Sequence, residues 1–221
     1  MESYKIRFKF QKINEFKYLS HLETVRLLVM AARRAKIPIK YSEGFNPNPK
    51  LNFSFPVPVG LGSFAEYADM DVYEKIDLSK FIADLNKNLG KGMEILDALF
   101  HKEKLPSLMA DISIIKYVFR LSFDDKSFLE EYKSEIESMV KETCSVWMYE
   151  FAEPETDADI VYLNLFGYTK LLNNNKIFKF NDFLINLKIL SSNKNVGIMD
   201  FFKKEAYVIR SNILKTPMCI V

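Results

Sequence analysis

The sequence predicts an α+β protein in which a β-α-β-β-α-β order occurs twice in succession. Three observations carry this. Hydrophobicity alternates with period two over Tyr4–Lys12 and then passes into a helical period. Two further strand patterns, a capped helix and a closing strand follow before residue 101. The same succession of periods begins again at Ser113. Each repeat has the order of a ferredoxin-like unit, whose helices cover one face of its sheet. The expected domains are residues 1–104, containing a signature loop at 41–62, and residues 105–221.

In the first strand Tyr4, Ile6, Phe8 and Phe10 point one way, and Lys5, Arg7, Lys9 and Gln11 the other. The helix after it opens at Ser20, which has capping-box spacing to Glu23. Leu22, Val25, Leu28, Val29 and Ala32 form its expected inward stripe, and Pro38 lies just past its end. Lys50–Phe55 reads as a strand that "FPVPVGLG" interrupts, because proline donates no ladder hydrogen bond. Ala65–Tyr73 is the next strand, Asp77 caps the next helix, and Met93 begins the last strand of this half. "HKEKLPSLMA", residues 101–110, is the connector.

The second half starts with the alternating run Ser113–Phe123. Phe128, Leu129, Tyr132, Ile136, Met139 and Val140 make a helical stripe. "CSVWMYEF" and "DIVYLNLFGY" are strands, "NDFLINLKIL" is a helix with Asn181 as its cap, and "EAYVIRS" closes the repeat. Met139, Trp147 and Met148 are expected in the core; Lys203, Lys204 and Arg210 are expected in solvent.

Composition narrows the function classes. Hydrophobic residues make up 48% of 221, with 19 Phe, enough for an aromatic core. A formal charge of +2 excludes a uniformly basic nucleic-acid coat but allows a local patch. Cys144 and Cys219, with His21 and His101, have no short spacing, so neither a disulfide framework nor a metal site is expected, and no cofactor motif appears. The N-terminus carries no signal-like segment, and no run approaches the about 18 apolar residues of a membrane span. The expectation is a soluble, cytoplasmic protein.

Four of the eight prolines and three of the seven glycines fall within Tyr41–Tyr67. "NPNP" at Asn46–Pro49 forbids helix and stiffens the loop, while Gly44 permits positive φ. A stiff loop has less entropy to lose on meeting a partner. It carries Tyr41, Phe45, Asn46, Asn48 and Lys50, whose rings, amides and cation suit base stacking and base-edge hydrogen bonds. Arg26 and Arg33 are seven apart on the first helix, with Arg34 beside them, a candidate phosphate-binding row. The plain alternative is a constrained turn beside a solvated helix face.

Two other readings bear on function. Lys5, Arg7 and Lys9 suggest a basic open sheet, but Asp69 and Asp71, flanked by Tyr67 and Tyr73, should oppose them as cross-strand ion pairs that neutralise the face. That pairing also outweighs a magnesium site at Asp69 and Asp71. No catalytic residue is assigned. The alternative catalytic set is His21, Tyr41 and Lys50, as base and oxyanion stabiliser for metal-independent RNA cleavage.

The string "YLSHLETVRLLVMAARRAKIPIKYSEGFNPNPKLNFSFPVPVGLGSFAEYADMDV" resembles the radical SAM-linked family (DUF2344), closely over residues 3–100 and on through "LPSLMA". The resemblance implies a radical SAM companion, fused or encoded beside the member, and a neighbourhood of ribonuclease G and ribosomal-protein genes. Asn48 stands where relatives have His, and the chain has no CxxxCxxC motif to hold the usual cluster. The expected function is therefore a non-catalytic accessory protein that binds an RNA substrate (tRNA or rRNA), a radical SAM protein, or both. Alternatives are an RNA endonuclease or RNA-modifying enzyme, and a pure protein–protein adaptor.

Overall fold

The computed structural model describes residues 4–101, 106–143, 145–154, 159–170, 176–211 and 213–219. In chain order these form β1 (Tyr4–Lys12), α1 (His21–Arg34), β2 (Leu51–Phe53), β3 (Gly62–Val72), α2 (Leu78–Asn88), β4 (Met93–His101) and the short α3 (Leu108–Asp111). They continue as β5 (Ile112–Phe123), α4 (Leu129–Thr143), β6 (Val146–Ala152), β7 (Ile160–Tyr168), α5 (Phe180–Asn193), β8 (Val196–Arg210) and β9 (Ile213–Lys215). The protein is mixed α/β, and the strand pairs with a described register are antiparallel. Two compact units result. One comprises residues 1–112 with 206–221, the other 113–205. The boundary expected between Lys104 and Leu105 lies outside the described residues, as does Cys144.

In the first unit the strands run β4-β1-β3, with β2 also on β3. Ile6, Phe8 and Phe10 of β1 are buried together with Leu28, Ala31 and Ala32 of α1 and with Phe81 and Leu85 of α2. Phe8 and Phe81 meet edge to face at 5.7 Å between centroids. Each such buried ring or branched chain contributes about 2 kcal/mol relative to exposure. Both helices start where their caps dictate. Ser20 accepts from the Glu23 N–H while Glu23 accepts from the Ser20 N–H. Asp77 accepts from the Lys80 N–H at 2.8 Å.

The inward stripe of α1 is turned from the expected one. Thr24, Leu28, Ala31 and Ala32 are buried, whereas Leu22 is exposed. Leu22 lies two positions before Thr24, on the opposite side of the helix.

In the second unit the order is β8-β5-β7-β6. Phe119 of β5 lies among Phe180 and Phe183 of α5, with centroids 5.9 and 5.6 Å away. The buried Tyr132 hydroxyl of α4 hydrogen-bonds Ser191 of α5 at 2.7 Å, and burial pushes its pKa up to about 12. Three expectations are corrected here. Lys179, not Asn181, is the N-cap residue of α5, and no side chain caps it. Trp147 and Met148 are exposed on β6 instead of buried. Lys203 is buried instead of solvated.

Candidate nucleic-acid interface

The loop after α1 is closed by backbone bonds. Tyr41 and Pro49 form an antiparallel bridge, and Ser42 N–H donates to Asn48 O at 2.8 Å. Asn48 N–H returns a bond to Ser42 Oγ at 2.9 Å, and Asn48 Nδ2 donates to Asn46 O at 3.2 Å. Below the bridge Lys50 N–H donates to Lys40 O, while Lys40 N–H and Lys50 O bind Asp71 of β3. The loop is thereby anchored to the sheet, with residues 43–48 projecting into solvent. Gly44 has φ +119°, a conformation that L side chains rarely adopt. Phe45 follows it with its side chain fully exposed, at 106% relative accessibility.

The C-terminal end of α1 meets this loop. Arg33 Nε donates to the Tyr41 hydroxyl oxygen at 3.0 Å, and its guanidinium lies 5.7 Å from the Tyr41 ring centroid. Arg26, Arg33 and Arg34 are all exposed. Arg34 has no ion-pair partner among the described residues. Arg26 lies near Glu23, whose carboxyl is held low first by its bonds from Ser20 and then by Arg26. Residues 26–50 contain six Lys or Arg against one Glu, a net +5 within a chain of +2. A positive segment with rings and amides at its tip attracts polyanions and can stack on bases.

The sheet face does not add to this surface. β1 and β3 pair Lys5 with Asp71, Arg7 with Asp69 and Lys9 with Tyr67. Arg7 binds Asp69 through two bonds, and Lys5 lies 3.7 Å from Asp71. Arg7 is not solvated. Asp111 of α3 lies 4.0 Å from it, and the Pro217 carbonyl accepts from its Nη1 at 3.3 Å. Burial opposes the Asp69 carboxylate, but bonds and charge from Arg7 and His101 outweigh it and hold its pKa below the usual aspartate value.

Two members of the alternative catalytic set, His21 and Tyr41, stand at opposite ends of α1. His21 stands edge-on to Phe53, 5.2 Å between centroids, at the start of α1. Tyr41 is held at the other end by Arg33, twelve residues or about 18 Å along the helix axis. Among the described residues no group of three or more His, Cys, Asp or Glu is placed to hold a metal ion. No helix among them is long and apolar enough to cross a membrane.

A family model described as an uncharacterized protein conserved in bacteria (DUF2344) matches residues 5–161. The chain belongs to this family. No curated protein matches it. Among solved structures, an unknown protein from Galdieria sulphuraria aligns over 91% of this chain and 99% of its own, at 10% identity and a TM-score of 0.26. That score is too low to transfer anything.

This DUF2344 member carries further groups on the same surface that a pairwise reading of the arginines misses. Lys36 is exposed, and Lys40 is half-buried beneath the loop. Leu22 and Met30 are exposed on α1. The signal was available: positions 22, 26, 30 and 33 fall on one helical face, so Leu22, Arg26, Met30 and Arg33 form one stripe.

Proposed function

We propose that the protein is an RNA-binding accessory subunit that works beside a radical SAM enzyme and performs no chemistry of its own. Arg26, Arg33, Arg34 and Lys50 would hold phosphates, and the loop that Tyr41 and Asn48 brace would meet bases through Phe45 and Asn46. The observation that carries this is the exposed Phe45 at the tip of a loop whose base the Arg33–Tyr41 pair holds, in a segment of net +5. Phosphate contacts supply sequence-independent affinity, and stacking supplies contact with any base. The radical SAM partnership comes from the sequence resemblance alone. We also read each unit as ferredoxin-like. The strand orders β4-β1-β3-β2 and β8-β5-β7-β6 support this, since the first and third strands of each repeat are neighbours.

The test is RNA binding across a salt series. Wild type should bind a structured RNA with affinity falling linearly in log salt. An R26A/R33A/R34A variant should bind weakly, with a slope smaller by about two to three units. Equal affinity of variant and wild type would overturn the proposal. The exposed Leu22 and Met30 favour one rival, a protein–protein adaptor. Co-purification of a protein partner that survives ribonuclease and fails in an L22A/M30A variant would select it.

A further inference from the structure

We infer, resting on the RNA reading above, that the tip of the 41–50 loop captures a single unpaired base, stacked on Phe45 with its edge met by Asn46. Four observations distinguish these two residues from the rest of the loop. The Tyr41 ring already holds the Arg33 guanidinium, and its hydroxyl accepts from Arg33, so Tyr41 braces the loop and is not an open platform. Asn48 Nδ2 already donates to the Asn46 carbonyl, which ties that side chain to the loop. The Asn46 side chain makes no hydrogen bond among the described residues, which leaves a donor and an acceptor for a base edge. Phe45, next to it, presents an uncovered ring.

The base must be unpaired for a geometric reason. In a duplex the faces of the bases are stacked on one another, and the deep A-form groove keeps side chains from their edges. A ring on a projecting loop reaches the face of a base only where that base has left the stack, in a hairpin loop, a bulge or an end. The loop's own bonds at Ser42, Asn48 and Lys50 fix Phe45 on a closed frame, so little ordering remains to oppose binding. The cations behind the tip then engage the flanking phosphates.

The experiment compares two RNA probes, a hairpin with a single-stranded loop and a blunt duplex of equal charge, each titrated with full-length protein at fixed salt. Wild type should prefer the hairpin by about tenfold. F45A should lose that preference and keep its duplex affinity and salt slope; F45W should restore the preference. Phe45 packs against nothing that folding needs, so the variants should keep wild-type circular dichroism. If F45A prefers the hairpin as wild type does, the base capture is wrong, even if R26A/R33A/R34A weakens both probes and so upholds the RNA reading. If wild type binds neither probe, both readings fall.

Discussion

Arg7 grips Asp69 across the β1–β3 pair, Nε to Oδ1 at 2.8 Å and Nη2 to Oδ2 at 2.9 Å, with the guanidinium side chain 1% exposed. A two-pronged bond of this kind fixes register as well as charge.

Removing the acid should therefore cost more than the pair contributes. D69A leaves a buried guanidinium with only the Pro217 carbonyl and the more distant Asp111, and is expected to destabilise the fold by about 3 kcal/mol, whereas a double change of Arg7 and Asp69 to apolar residues should recover much of that loss. Urea denaturation of the three proteins measures it. A D69A loss below about 1 kcal/mol would mean that solvent reaches Arg7.

The same carboxyl makes stability depend on acid. Its folded pKa lies below its unfolded value of about 3.9, so its contribution is complete above that value and is lost as pH falls through the folded pKa. The stability gap between wild type and D69N should be constant near neutrality and shrink below about pH 4. Denaturation at stepped pH gives the gap, and a gap independent of acid would contradict the assignment.

Caps offer a comparison within one molecule. S20A and D77A each remove a side chain that accepts from the first turn of a helix, and each should cost about 1 kcal/mol. N181A removes no cap, because α5 begins at Phe180 after Lys179, and should change stability by less than about 0.5 kcal/mol. Thermal melts of the three variants rank them.

Gly44 sets the loop. With φ at +119° any Cβ is strained although nothing crowds it, so G44A should cost about 1 kcal/mol locally and loosen residues 42–48. Amide exchange should quicken at Ser42 and Asn48, whose N–H groups close the loop, and leave β1 unchanged.

What the sequence disclosed follows from how local each signal is. Period two assigns faces without ambiguity, and a one-residue slip would invert them, so the opposition of Lys5, Arg7 and Lys9 to Asp69 and Asp71 was legible, whereas the register that pairs Arg7 with Asp69 needed the fold. Ser20 and Glu23, three apart, declared their cap for the same reason. What failed was set by distant residues. The full burial of Arg7 was not legible, because nothing near it in sequence announces Asp111 or Pro217. The first half of β8, from Val196 to Lys204, was missed because "VGIMDFFKK" does not alternate, and the burial of Lys203 went with it. At the candidate site the loop's stiffness and its cations were legible from Pro47, Pro49 and the arginines. The bond from Arg33 to Tyr41, which separates brace from platform, needed the folded backbone.

The two partners that Arg7 bonds bear on the order of events at the ribosome. The link to Asp69 spans 62 positions and the link to the Pro217 carbonyl spans 210. Asp111 likewise waits 99 positions for Arg210. The opening half emerges, packs its aromatic layer, and yet holds a cation whose last partners are still being translated. Residues 113–205 must come out in between, so the earliest-made unit is among the last to be finished, and a nascent chain halted before Arg210 lacks both the carbonyl that Arg7 binds and the guanidinium that Asp111 binds.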